Sequence, residues 1–368
     1  VKTVSNETRD LILETAGPSG GGFQAVWVAD LMYDGERRIQ GLKIEAPELT
    51  WDQSRFVVGS GSVRVVWADD FGSSMIPRQI GDWFSPFGSE LQVDMIVSAG
   101  PQFRERIPMG RFVIESVPEA EDRRMLFQGA RVTPGESFAL NLADRLMKVN
   151  RDEFLFPTKA QSTSAWEEAQ AITGFPVIRN VPDATVPGSV AYEGEKPKIL
   201  NQLFDLVGAW PHLTADGVLT ALPKAWGDPV GVIRGVVSAP VSMDAEQTYN
   251  VVVVEGKSPS GDPIYATADV TEGFLRVRNA DGGVSPFGQK PYRYASEFLS
   301  TYEQVAAYAV ELLGRVSRVR GVTRTVVEPL NPLREVGDVL SFEGGVVRVR
   351  QIAHRGAETH LVVEVRDS

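Results

Sequence analysis

The chain has 368 residues, 43% of them apolar and 23% charged, no cysteine, and a formal net charge of −11 at pH 7. A chain of this length predicts two or three domains with room for sizeable cores, and its average composition excludes general disorder. The lack of cysteine excludes disulfides, thiolate metal sites and cysteine nucleophiles, and the acidic balance argues against nucleic-acid binding, sequence-specific or not, because phosphate neutralisation needs clustered Lys and Arg.

No stretch of about 18 apolar residues is present, so no membrane span is expected. The first residues, Val1 to Glu7, lack the charged-then-apolar order of a signal peptide, which points to folding in a cytoplasm. Only nine of the 37 basic residues are Lys. Arg is favoured at protein interfaces for its planar donor fork, so its excess leans toward assembly.

From Leu11 to Arg131 the sequence reads as short strands, Phe23 to Asp30, Gly41 to Glu45, Val63 to Trp67, Leu91 to Val97 and Arg111 to Val117. Turn clusters separate them at Gly17 to Gly22, Asp34-Gly35, Gly59 to Ser62, Pro86 to Gly88 and Gly100-Pro101. Strands at this spacing without intervening helices predict a barrel or sandwich, the first domain, over residues 1–134.

Residues 135–228 read as an α+β middle domain. Phe138, Leu142, Leu146 and Val149 share one side of a helix predicted from Ser137 to Val149. Ser164 and Glu167 have capping-box spacing for a short helix stopping at Gly174, and Pro197 opens another that carries Ile199, Leu200, Leu203, Phe204 and Val207 at core spacing. Arg179 to Glu195, rich in Pro and Gly, reads as a surface loop, and Asp216-Gly217 joins two strands, His212 to Ala215 and Val218 to Leu222, as a hairpin.

Strand patterning resumes over residues 229–368, with Val230 to Val237, Tyr249 to Glu255, Val339 to Phe342, Val346 to Ile352 and Leu361 to Val365. The unbroken run at Val251 to Val254 predicts a core strand covered on both faces. Phe298, Tyr302, Val305, Ala309, Leu312 and Val316 form one stripe of a helix within residues 297–317. Residues 257–291 are too long for a hairpin turn and read as an interaction loop. In it Phe274, Arg276 and Arg278 lie on a segment of β character suited to ordering on a partner and pairing with its carboxylates, the alternative being a longer solvated hairpin. Phe112 to Val117 followed by Met125 to Arg131 is echoed by Val347 to Ile352 followed by His360 to Val365, so both outer blocks are expected to end on one kind of hairpin, unless the echo is coincidence.

Few residues point to chemistry. Gly17 to Gly22 lacks the Lys-Ser/Thr pair of a phosphate loop and reads as a hairpin tip. Gly59 to Ser62 lacks the spacing of a nucleophile elbow. Asp69-Asp70, Glu119 to Asp122 and Glu167-Glu168 supply carboxylates, but nothing selects a glycosidase pair, and they read as solvated faces. His354 and His360 read as surface residues, since two ligands make a poor zinc site. No catalytic residue, metal site or cofactor is expected. Trp83, beside Phe84, and Phe87 are candidates for exposed contacts.

Asp82 to Leu91 followed by Ile107 to Ile114 resembles the N-terminal barrel of the baseplate hub (minor tail) proteins of siphophages that infect actinobacteria, the tail-tip hub fold also found at the start of tail-associated lysins. Thr248 to Val253, Asn331-Pro332-Leu333 and Gly337-Asp338-Val339 are similar to the second half of the same proteins. The resemblance touches most of the chain and none of its motifs is catalytic. It implies a mainly β structure with α+β character, in which two β-barrel-like hub domains flank the middle domain. It also implies a homotrimeric ring matching a sixfold tail tube above and a threefold tip below. Its implied partners are the distal tail protein ring, the tape-measure protein and other tail-tip or receptor-binding proteins, in a virion assembled in the host cytoplasm. A carbohydrate-active enzyme or sugar-binding β protein, using Trp83 and acidic neighbours on the host wall, is the alternative; assembly state and glycan turnover discriminate the two.

Overall fold

A computed structural model describes residues 2, 4–15, 22–69, 74–100, 103–121, 125–188, 190–242, 245–246, 248–258, 260–317 and 323–366. The glycine run expected at a hairpin tip lies, from Gly17 to Gly21, outside the described residues, as does Asp70.

After helix α1 (Asn6–Thr15), which the strand reading did not anticipate, the chain runs through β1 (Gln24–Tyr33), β2 (Glu36–Asp52), β3 (Gly59–Asp69), β4 (Glu90–Ala99), β5 (Phe103–Glu121), β6 (Met125–Phe127) and β7 (Ala130–Asp144). The pairings β1–β4, β4–β5, β5–β7, β7–β3, β3–β2 and β2–β1 return to their starting strand, so six strands close a barrel. Closure removes most of the free edges that an open sheet would expose, leaving the end of β2 to another partner. Alternate residues point inward, among them Leu91, Val93, Met95 and Val97 on β4 and Phe138, Leu140 and Leu142 on β7, and Ile12 of α1 joins their core. Asp34 and Gly35 both have positive φ, 51° and 76°, which gives the β1–β2 hairpin the turn that matches strand twist. A Cβ on Gly61 would run into the Glu48 carbonyl, so this bulged crossing of β2 and β3 requires glycine.

The helix expected over 137–149 is therefore a strand as far as Asp144. Phe138, Leu142 and Leu146 fit helical spacing, but Phe138, Leu140 and Leu142 also fit a period of two, and β5 and β3 on either side supply the partners that decide. The boundary expected between residues 134 and 135 falls inside β7. The hairpin echo does not hold in detail. Met125 to Arg131 is the tip of the β6–β7 hairpin, whereas His360 to Val365 lies within a single strand.

The middle block follows as α2 (Leu146–Asn150), β8 (Glu153–Lys159), α3 (Ala165–Thr173), β9 (Ala191–Glu195), α4 (Lys196–Leu206), β10 (Ala209–Leu213) and β11 (Leu219–Pro223). Ser164 caps α3 by accepting from Glu167 N, and Gly174 ends it in the left-handed conformation, as the spacing predicts. Leu200 and Phe204 on α4 pack with Trp166 and with Leu219 of the β10–β11 hairpin.

The remaining chain divides into two parts. β14 (Val251–Lys257) is the central strand between β15 (Pro263–Asp269) and β16 (Pro291–Ala295), and α5 (Tyr302–Val316) lies on this sheet through Val305, Ala309 and Leu312. Thr301 and Gln304 make a reciprocal capping box at the start of α5, and Phe298 precedes the helix and packs against the middle block. Part of the expected 257–291 loop is thus strand β15, paired with the whole of β14. The other part is a barrel-like set in the order β12 (Gly231–Val232), β18 (Val339–Phe342), β19 (Gly345–Arg355), β20 (Glu358–Val365), β17 (Thr323–Pro329) and β13 (Val241–Ser242). Val230 to Val237 is not one strand. Gly231–Val232 pairs with Leu340–Ser341 on β18, the Val237 N–H donates instead to the Val327 carbonyl on β17, and the Val236 and Val237 side chains are exposed. β19 also pairs with β2, joining the two barrel-like halves in one sheet. The molecule is mainly β, as expected.

Candidate functional site

The rim segment between β3 and β4 alternates between anchoring and presentation. Phe84, in the left-handed region at φ 65°, is fully buried and packs edge-on against Phe138, with ring centroids 5.1 Å apart. Its neighbours Trp83 and Phe87 remain 41% and 58% exposed, and Ile80 is exposed beside them. Trp83 stands edge-on to Tyr33 at 6.1 Å and lies under the Arg38 guanidinium at 5.9 Å, contacts that hold the ring in place without covering it. Asp82 accepts from the backbone N–H groups of Arg78 (2.8 Å) and Gln79 (3.0 Å), which hold its carboxyl below the usual range and fix the turn.

Phe274 sits at the second expected site and is 97% exposed. Its segment forms no strand, and only Arg278 makes an isolated bridge, with Val284. The two arginines are engaged inside their own loop. Arg276 donates to Asn279 Oδ1 (3.1 and 2.8 Å) and to the Gly273 carbonyl (2.9 Å), and Arg278 donates to the Gly282 carbonyl (3.4 Å). The loop owes its shape to a residue outside it. Buried Asn250 donates through Nδ2 to the carbonyls of Leu275 (3.0 Å) and Gly288 (2.6 Å) and accepts from Lys290 N (2.8 Å). The structure does not bring Phe274, Arg276 and Arg278 together with Trp83 and Phe87; the two sites are separate surfaces.

A third feature was not read from the sequence. Where α4, the β10–β11 hairpin and the α5 lobe meet there is a cleft of about 670 Å³. Asp205 closes its floor, accepting from the hydroxyls of Tyr294 (2.7 Å) and Tyr308 (3.3 Å) and pairing with Lys224. Burial and the Asp205 charge raise both phenols, that of Tyr308 to about 12, while burial lowers the Lys224 ammonium against the pull of Asp205. Tyr249 and Tyr292 form a second aromatic pair at 5.2 Å, and the Arg350 guanidinium lies over Trp210 at 5.5 Å. The residues span more than a hundred positions, which hid the cleft. The alternation of Tyr292 and Tyr294 on one strand was the available signal.

No protein-family model matches the chain, and no curated protein matches it by sequence. Solved structures do match. The tail protein from Neisseria meningitidis MC58 aligns with a TM-score of 0.58 at 12% identity, covering 93% of this chain and 97% of its own. The 43 kDa tail protein of prophage MuSo2 from Shewanella oneidensis aligns with a TM-score of 0.55 at 14% identity, covering 92% of this chain and 98% of its own. The chain has a tail-protein fold.

Within this tail-protein fold several of the histidines and carboxylates considered for chemistry sit in structural contacts. His354 is buried rather than exposed as expected. Its Nδ1 lies 3.1 Å from Thr359 Oγ1, and burial pushes its pKa down to about 3. His360 sits beside Glu358 at 3.2 Å and opposite Ala353, not His354. Glu168 is not on a solvated face. It is buried and accepts from Gln161 N at 2.7 Å. Glu119 on β5 pairs with Arg64 at 2.6 Å, and Glu167 lies on a different element, α3. Among the described residues no group of three or more His, Cys, Asp or Glu is arranged to hold a metal.

Proposed function

We propose that the protein is the baseplate hub subunit of a siphophage tail of the kind that infects actinobacteria, and that three copies form the ring joining a sixfold tail tube to a threefold tip. The observation that carries this reading is the extent of the likeness to two tail proteins, which spans both barrel-like halves and the middle block instead of one shared domain. Two barrel-like halves per chain, six per trimer, suit a ring that meets sixfold symmetry on one side and threefold on the other. The net charge of −11 suits a channel wall that does not retain DNA.

On this reading the partners are two further copies, the distal tail ring above, the tape-measure protein in the channel, and tip or receptor-binding proteins below. The setting is the virion tail tip, assembled in the host cytoplasm, and the role is structural. Light scattering and electron-microscopic class averages of the purified protein test it. A threefold ring with a central channel is the expected result. A strict monomer at micromolar concentration, together with absence from the tip of assembled tails, overturns it.

A further inference from the structure

Residues 249–316 fold as an insert. β13 and β17 pair through Val241↔Arg324 and Ser242↔Thr323, and residues 243–248 and 317–322 lead from this pair into the α5 lobe and back. The Tyr249 N–H donates to the Val316 carbonyl at 3.0 Å, so the two ends of the lobe lie side by side on a two-strand stem. β14, β15 and β16 form a sheet of their own, and the core beneath α5, from Val252 and Ala266 to Leu312, draws its side chains from within the lobe. A unit with its own core and adjacent ends needs little else to hold its shape.

Its seat on the rest of the chain joins one buried ring to a set of polar bonds. Gln202 Nε2 of α4 donates to the Ala295 carbonyl (3.0 Å), and Asp205, paired with Lys224, accepts from Tyr294 and Tyr308. Among the described residues of the lobe, Phe298 alone enters another core, where it lies near Tyr192 with ring centroids 6.4 Å apart. Gaps flank this joint. Asp205 and Tyr294 line the cleft of about 670 Å³, whereas Gln202 and Ala295 line a second one of about 370 Å³. The four cations along the larger cleft are each matched by a carboxylate, Arg55 by Asp52, Lys224 by Asp205, Arg315 by Glu311 and Arg350 by Glu364. The cleft therefore selects no charged ligand and stands as a space between two bodies.

We propose that the lobe is a hinged arm. Residues 249–316 turn as one body on the β13–β17 stem, and the hydroxyls of Tyr294 and Tyr308 on Asp205 are the latch that holds one of its two seats. Units that meet without a large apolar face move relative to one another by default. A hinge absorbs such a turn in a few residues at element ends, while the packed bodies on either side stay intact. Because the two clefts flank one joint, narrowing the wider one widens the other. Phe274 travels with the arm, since Asn250, just before β14, ties its loop to the lobe. The motion belongs to the single chain and does not depend on the ring reading.

The lack of cysteine lets spin labels be placed cleanly. Pulsed electron–electron distance measurements on the full chain use Val310→Cys on α5 with Ile178→Cys in the middle block to read the arm, and Val310→Cys with Tyr265→Cys to read the lobe alone, all at exposed positions. Tyr294→Phe with Tyr308→Phe keeps the rings and the Asp205–Lys224 pair and removes only the two hydroxyls. This variant is expected to populate a second arm distance at least about fivefold more than the chain with both hydroxyls, with the lobe distance unchanged. An arm distance that is single and the same with and without the hydroxyls overturns the hinge. A lobe distance that changes along with the arm distance also overturns it, because the hydroxyls then hold the lobe's own packing rather than its seat. Neither result touches the ring reading, which is tested by assembly state.

Discussion

Leu49 and His354 face one another across the β2–β19 pairing, the register at which the closed N-terminal barrel becomes continuous with the C-terminal strands. The barrel closes without β19, because β2 already pairs with β1 and β3. A fragment of residues 1–150 should therefore fold, with sheet-type circular dichroism and a cooperative melt. A fragment of residues 1–134 should not, because it lacks the part of β7 that pairs with β5 and with most of β3. A cooperative melt of the shorter fragment would contradict this assignment of the closing strand.

Rim substitutions should separate anchoring from presentation. Trp83→Ala and Phe87→Ser remove exposed rings and should change unfolding free energy by no more than about 0.5 kcal/mol. Phe84→Ala empties a filled position against Phe138 and should cost about 3–5 kcal/mol. Chemical denaturation of the three variants gives the comparison.

Asn250→Ala should release the 270–290 segment while β14 stays paired. It leaves the carbonyls of Leu275 and Gly288 and the amide of Lys290 without their partner, at roughly 1–3 kcal/mol for each group that stays buried. Hydrogen exchange should quicken at the amides of Val277 and Ser285, which close the same loop, and stay slow at Val252 and Val254.

Two buried groups predict opposite pH responses. His354, depressed to about 3, stays neutral in the fold while the unfolded chain takes up a proton below about 6.5, so its contribution is lost as pH falls from 6.5 toward 3. Burial pushes Asp144 up to about 7 against the amides of Gly59 and Leu146, so the folded state holds a proton that the unfolded chain releases. Stability therefore falls as pH rises from about 4 to 7, by at most roughly 4 kcal/mol. Thermal melts across pH should show a flatter acid limb for His354→Leu and a flatter approach to neutrality for Asp144→Asn.

The strands of the first barrel were legible because one face is core and the other solvent, which writes alternation directly into β4 and β5. The helices α3 and α4 were legible from their caps and stripes. The β7 segment was not, because its local pattern satisfies two periods and only distant partners choose between them. Asn250 could be seen as part of a core strand, but its role in tying carbonyls 25 and 38 residues away is a property of the folded chain. The cleft was invisible for the same reason, since Asp205 is ordinary on α4 until Tyr294 and Tyr308 arrive.

The β2–β19 junction also sets a clock. Gln53 and Arg350, bonded to one another beside it, are separated by 297 residues, so this edge of β2 stays without its partner while most of the chain is being made. At synthesis rates of about 5–20 residues per second the wait is roughly 15–60 s. During that interval Thr50 and Trp51 offer an open strand edge, a template for pairing with the wrong chain. Ribosome-bound chains stopped before residue 345 should therefore be the aggregation-prone species, and a chaperone that shields nascent β edges would have its greatest effect there.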